Sequence, residues 1–477
     1  MKMWAGRFRQ PLDPVFERWQ RSFGFDRRLL RYELAASAAH ARALKNAGIL
    51  SADELISILQ GLEQIGERAT ATPAFLDDDE VEDVHHFVEK QLVALIGDTG
   101  YKLHSGRSRN EQIATDLRLY VRAAIDQVRN DIAELCVVFV DRAEQAGDAA
   151  MPAYTHLQKA EPVLVAHWLL AYVEMFLRDA ERLADCRRRM NLWPLGSGAV
   201  AGATLPLDRA CIAANLGFDG PTLNSIDATS DRDFALEFVN ALAILATHLS
   251  RWAEEMILFS SQEFGFLSSP ESYSTGSSAM PQKKNPDLLE LVRGKTGKIL
   301  GNATSLAVTM KGLPLAYNKD LQEMQQPVFD STETLLQMLP LVTEWMRAVE
   351  FHHDRMLQSA QSGSMNAWAA ATYLVHRVVP SRLAHETIGK AVQMCLERNC
   401  ELQDLPLRDL QSLSPVFSDD FYDALKLEPV LAIHDVRGGT APTRVREAIN
   451  AVRNRIGLVR EEVHAPETHA RETHAHA

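Results

Sequence analysis

The sequence predicts an all-α chain of two or three domains, and its length, apolar periodicity and composition carry that expectation. Apolar residues recur at alternating intervals of three and four in Val121, Ile125, Val128, Ile132, Leu135 and Phe139. Leu242, Leu245, Leu249, Trp252, Met256 and Phe259 form a second stripe. A third, Leu170, Val173, Leu177, Ala180 and Ala184, lies on the run from Val163 to Met190. Such spacing held over about seven turns predicts long helices packed side by side. No stretch shows convincing alternation of period two. With 25 Gly, 20 Pro and 7% aromatic residues in 477, the composition fits a helix-rich chain better than a β-sandwich.

The elements follow in order. Residues 1–105 hold shorter helices and an acidic connector, Asp77-Asp78-Asp79-Glu80. Residues 106–357 hold the long helices, broken by polar, glycine-containing loops. Helices of this length often bury a second stripe by oligomerising. Residues 358–462 return to shorter helices, punctuated by Pro406, Pro415, Pro429 and Gly438-Gly439. The tail 463–477 lacks apolar periodicity and is expected to be disordered. No internal repeat is evident.

Composition excludes several classes. A net charge of −13 argues against a nucleic-acid partner, because phosphate binding needs a basic surface. The most apolar long stretch, Phe234 to Ser261, contains Glu237, Arg251, Glu254 and Glu255, which argues against a membrane span. Five cysteines without CxxC spacing point to a reducing compartment, and the opening MKMWAGRF is no apolar signal segment. A cytoplasmic location is expected.

Four polar islands interrupt the helical pattern. In His104–Asn110, two arginines beside hydroxyl and amide groups suit a carboxylate, which guanidinium binds in bidentate fashion. The same run reads equally as a helix start capped by Ser108 or Asn110. In Tyr154-Thr155-His156-Leu157-Gln158, His156 has the chemistry of a proton carrier near neutral pH, although a lone histidine is more often structural. Ser274–Asp287 is more specific. Gly276 and the serines make its start flexible, as a lid requires, and a lysine pair follows. Asn285-Pro286-Asp287 reads as the cap and first positions of the next helix, which places Lys283 beside a helix N-terminus where an anion is favoured. The fourth island, Lys311–Gln322, offers donors to a ligand and little more.

At the third island, GSSAMPQKKNPD over 276–287 resembles the mobile-loop signature of the fumarase–aspartase–argininosuccinate lyase superfamily. The double lysine followed by Asn-Pro-Asp is similar to its argininosuccinate lyase branch. So are Trp4–Phe8, Phe25–Leu29, Glu82–His85, the GRSRN segment, Thr155–Gln158, Pro194–Gly202, Asn224–Phe234 and Tyr317–Glu323. The resemblance covers nearly the whole chain.

That resemblance implies three helical domains and a homotetramer whose central domains form one helical core. Each active site would be built from three chains. It implies reversible β-elimination of argininosuccinate to arginine and fumarate in arginine biosynthesis, through an aci-carboxylate intermediate. Such an intermediate needs preorganised positive charge and donors, a task suited to Lys283 and Asn285. In the resemblance Ser277 is the general base, His156 the acid or acid relay, and Glu290 the carboxylate that pairs with the histidine. Ser22, Arg109, Asn110, Thr155, Tyr317 and Gln322 would contact substrate. No metal or redox cofactor is called for. The sequence departs from the branch at Gln325, where a carboxylate-binding lysine is expected, at Glu161 and at Ala279. Two rivals stay open: a sister lyase acting on another fumarate adduct, and a helical scaffold without activity.

Overall fold

The computed structural model describes residues 10–464. The Trp4–Phe8 segment and residues 465–477 of the expected tail lie outside the described residues. The ten longest helices among the described residues are α1 (Leu30–Asn46), α2 (Ala52–Ala71), α3 (Val84–Ile96), α4 (Arg109–Ala146), α5 (Val165–Met190), α6 (Asp233–Ser260), α7 (Asp287–Met310), α8 (Gln325–Ala348), α9 (Ser381–Arg398) and α10 (Pro442–His464). The all-α expectation holds, and no described helix is long and apolar enough to cross a membrane.

The stripes read from the sequence form the core. Val121, Ile125, Val128, Ile132, Leu135 and Phe139 of α4 are all buried, as are Leu242, Leu245, Leu249, Trp252, Met256 and Phe259 of α6. Phe139 sets its ring edge against Phe176 of α5 (centroids 5.6 Å apart), and Trp252 meets Trp345 of α8 at 5.2 Å, nearly perpendicular. Edge-to-face pairs of this kind add about 0.5–1.5 kcal/mol beyond their area. The helix α10 returns to this same core through Val445, Ile449, Val452 and Ile456, whereas residues between Ala370 and Leu425 form a separate cluster.

The helix α4 starts where it does because Ser108 and Glu111 form a capping box, with the Ser108 N–H donating to Glu111 at 2.8 Å. The second oxygen of Glu111 accepts the N–H groups of Gly196 (2.6 Å) and Gly198 (2.8 Å), which clamps the Pro194–Gly202 turn onto this helix end. Gly198 has φ 61°, and a Cβ there would lie 2.7 Å from the Gly202 carbonyl oxygen, so only glycine fits. Further along α4, the buried Arg122 donates to the Leu216 (2.8 Å) and Gly217 (3.1 Å) carbonyls, tying the helix to distant loops.

Strand content corrects the sequence reading, which found none. Four two-stranded pairs occur among the described residues, the longest being β1 (Ala150–Thr155) with β2 (Gln158–Leu164). The expected helix from Val163 accordingly begins at Val165. Period-two alternation is hidden because Pro152 and Pro162 face each other and the register shifts between Pro152 and Tyr154. A second correction concerns Asn285. It pairs with Thr275 in a strand pair, Thr275–Gly276 with Lys284–Asn285, and α7 starts at Asp287 with Pro286 in the cap position.

Candidate active site

The sequence-predicted residues fall on three patches of the chain. The first is a buried floor. Ser22 is 3% exposed, and its hydroxyl donates to Asp26 at 2.6 Å. The other Asp26 oxygen accepts the Val84 N–H at 3.1 Å, at the start of α3. Burial, reinforced by Asp83, pushes the Asp26 carboxyl up to about 7. The Ser22 N–H donates to the Glu82 carbonyl at 2.9 Å. The Arg109 guanidinium lies 3.1 Å from Asp83 and 3.4 Å from Glu82, and Lys319 reaches Glu82 at 3.2 Å. The Gln322 amide donates to the Gln20 carbonyl at 3.1 Å. Burial pushes the Tyr317 hydroxyl up to about 12, against the opposing pull of Arg232. Ser22 and Arg109 are thus linked through Glu82, Gln322 is tied to the chain two residues before Ser22, and Tyr317 lies within electrostatic reach of Arg232, Asp83 and Arg109. Asn110 joins the edge of the floor by donating to the Ala199 carbonyl at 3.4 Å, on the clamped turn. Asp26, Glu82, Asp83, Arg232 and Lys319 complete the floor; all lie in segments that the resemblance covers, but the sequence reading assigned them no role, although Asp83 carried a signal as the acidic cap before an apolar helix.

The second patch is the tip of the β1–β2 hairpin. Thr155 pairs with Gln158, which leaves His156 and Leu157 as the two turn residues, at φ 55° and 58°. Two consecutive positive φ values are the signature of a type I′ turn, which normally takes Asn-Gly. Holding a non-glycine residue there costs on the order of 1 kcal/mol, a cost that persists when the surroundings fix the turn. Here the hairpin is anchored by Tyr154, whose ring meets Phe264 at 5.5 Å and Phe259 at 6.0 Å. Thr155 and His156 are exposed.

The third patch is the loop between the two-residue strands Thr275–Gly276 and Lys284–Asn285. Asp287 accepts from the Thr275 N–H (3.1 Å) and hydroxyl, closing the base of the loop. The Asn285 amide donates to the Gly276 carbonyl at 3.4 Å. Within the loop, the Ser277 hydroxyl oxygen accepts N–H groups from Ala279 (3.3 Å) and Met280 (3.1 Å). Two amide donors on one hydroxyl oxygen favour negative charge there, as an oxyanion hole does. The Lys283 N–H donates to the Met280 carbonyl at 3.0 Å, and its side chain is exposed with no ion pair among the described residues. Glu290 is exposed on the first turn of α7, 3.9 Å from Arg293.

No hydrogen bond or ion pair among the described residues joins the three patches, and His156 and Glu290 do not pair within the chain. On the floor Arg109 is paired with Asp83 and Glu82, and Lys319 with Glu82, whereas Lys283 and His156 are exposed and Ser277 is half-buried. The arrangement offers cationic and amide donors for carboxylates, a hydroxyl poised toward an anion, and an imidazole.

Two family profiles match the chain: Lyase over residues 6–301, and Argininosuccinate lyase C-terminal over residues 364–432. An argininosuccinate lyase of Koribacter versatilis is 59% identical over 97% of this chain and 99% of its own length. One of Acidobacterium capsulatum is 57% identical over 96% and 95%. Among solved structures, an EDDS lyase in complex with formate superposes with a TM-score of 0.83 at 26% identity, covering 97% of this chain and 93% of its own. The 3-carboxy-cis,cis-muconate lactonizing enzyme of Pseudomonas putida shares the fold alone, with a TM-score of 0.71 at 21% identity over 93% and 100%. The sequence motifs, the helical fold and these relatives agree that the chain belongs to the argininosuccinate lyase family and is a lyase.

Proposed function

We propose that this lyase cleaves argininosuccinate to arginine and fumarate, reversibly, as a step of arginine biosynthesis in the cytoplasm. Ser277 removes the proton from the carbon beside a succinyl carboxylate, and the electron pair enters that carboxyl group as an aci-carboxylate. Lys283 and Asn285 hold the resulting charge. Collapse forms the carbon–carbon double bond of fumarate and breaks the bond to the guanidino nitrogen, which receives a proton from His156. Glu290 of another chain holds the imidazole. Ser22, Arg109, Asn110, Thr155, Tyr317 and Gln322 bind the substrate's carboxylates and guanidino group.

The observation that carries this reading is the pair of amide N–H groups aimed at the Ser277 oxygen. A serine is a poor base unless its anion is stabilised, and two preorganised donors supply that stabilisation without reorganisation. The separation of the three patches supports a homotetramer in which each site takes one patch from each of three chains. Large apolar side chains exposed on the long helices, such as Ile244, Leu291, Leu300 and Val308, support burial against further copies.

The test is direct. Micromolar enzyme is mixed with argininosuccinate and fumarate is followed by its ultraviolet absorbance. Stoichiometric release of fumarate and arginine is expected; turnover of adenylosuccinate or aspartate in place of argininosuccinate would reassign the substrate.

A further inference from the structure

Beneath the floor lies a second, wholly buried cluster that takes no part in the chemistry above. Glu33 of α1, His85 of α3 and Asp116 of α4 each place a ligand atom within 4.8 Å of the others. Glu33 has partners on both oxygens and acceptor capacity for a further donor. One oxygen accepts from Ser37 (2.7 Å) and Gln112 (3.1 Å) with Arg107 at 3.7 Å, and the other faces the His85 ring at 3.0 Å. Asp116 is 0% exposed, and neither of its oxygens has a hydrogen-bond donor among the described residues. The His85 ring is 3.6 Å away and already directed at Glu33.

The charges do not balance as drawn. Four buried carboxyls, Glu33, Asp116, Asp83 and Asp26, face three cations at most, Arg107, Arg109 and His85. Two further imidazoles against this cluster do not help, because burial holds His40 and His104 neutral, down at about 3 and about 4. Glu89, half-buried on α3, adds only negative charge near the arginines. An uncompensated carboxylate in such a site is far costlier than a neutral acid. One proton is missing from the hydrogen-bond pattern, and Asp116 is the carboxyl that lacks a donor.

We propose that Asp116 carries this proton as a neutral carboxylic acid and donates it in a hydrogen bond to Glu33, making the two a positioning pair for the Arg107–Asn110 loop. Burial, reinforced by the Glu33 charge, acts in the same direction on Asp116. Glu33 anchors Arg107 directly and through Ser37, whose hydroxyl accepts from Arg107 at 2.9 Å. Two residues on, Arg109 is fixed by Asp83. The acid pair therefore sets the backbone from which Arg109 and Asn110 reach the ligand. A divalent cation held by the same three side chains would have to sit beside the Arg107 guanidinium, which Coulomb repulsion disfavours.

This inference rests on the proposed substrate only for the role of Arg109 and Asn110; the proton itself is tested without substrate. Difference infrared spectra of the full-length protein at about pH 8.5, above the titration of Asp26 near 7, should show one buried carboxylic-acid carbonyl band. The band should vanish in Asp116→Asn, which keeps a neutral donor to Glu33, and the melting temperature should stay within a few degrees. Glu33→Gln should raise KM about tenfold with a smaller loss in kcat, since an anchored loop acts through binding. Absence of the band in the folded wild-type protein would overturn the proposal, as would one equivalent of tightly bound metal in the protein as purified. Wild-type protein that shows the band yet does not cleave argininosuccinate would sink the substrate assignment alone.

Discussion

The floor and the Ser277 loop treat polar groups in opposite ways. On the floor, Ser22 is bonded to Asp26 and Arg109 is paired with Asp83 inside the chain before any ligand arrives. In the loop, Lys283 is exposed and Ser277 is held only by its own turn. A preorganised floor suits binding, because little entropy remains to be lost on association. An exposed loop carrying the base suits chemistry that begins only when the loop meets a substrate seated elsewhere. On the proposed function, the contrast teaches that one chain holds a finished binding surface and an unfinished catalytic one.

The strongest way to break this comparison is to remove the base. Ser277→Ala should lower kcat on the order of a thousandfold while leaving the substrate dissociation constant nearly unchanged. Steady-state kinetics with calorimetry checks both, and substantial residual turnover would move the base to another residue. On the floor the pattern should invert. Asp83→Asn removes a charge partner of Arg109, so KM should rise about ten- to thirtyfold with a smaller change in kcat.

The floor also has a pH signature. The folded Asp26 carboxyl titrates near 7, above its usual value near 4, so the folded state binds the extra proton between those values. The stabilising contribution is present below pH 4 and is lost as the pH rises through 7. Asp26→Asn should therefore gain stability relative to wild type between pH 4 and pH 8, read as the difference in urea midpoints. A flat difference would contradict the assigned burial effect. The smallest effect is expected at Gln325, buried with its side-chain oxygen lacking a donor among the described residues. Gln325→Lys should tighten substrate binding by about three- to tenfold if a carboxylate lies near, one charged hydrogen bond being worth about 1.5–3 kcal/mol before the cost of burying the lysine. Unchanged or weaker binding would place the substrate carboxylates on other cations.

Much of this was legible in the sequence, for physical reasons. Long stripes at three–four spacing announce helices because burial of one face demands them, and α4 and α6 follow their stripes closely. The capping reading of Ser108 held because Glu111 stands three residues on. The β1–β2 hairpin was invisible, since two prolines and a register shift erase its alternation and its turn uses His156-Leu157. Asn285 looked like a helix cap, but it pairs with Thr275 in a strand, and the cap and helix start fall one residue later, at Pro286 and Asp287. Glu33 and Asp116 escaped notice because a buried acid on a helix looks like a solvated one until its neighbours are known, and Asp26 and Asp83 were noted only as members of resembling segments, without a role.

Mixing two inactive forms probes the division between floor and loop without intermediaries. Arg109→Ala damages the floor and Ser277→Ala the loop, and each alone should release almost no fumarate. Co-assembled from denatured chains, they should regain a measurable fraction of wild-type turnover, because some sites would then pair an intact floor with an intact loop from a different chain. Mixed assemblies that form and yet stay inactive would show that the floor and the loop must come from the same chain.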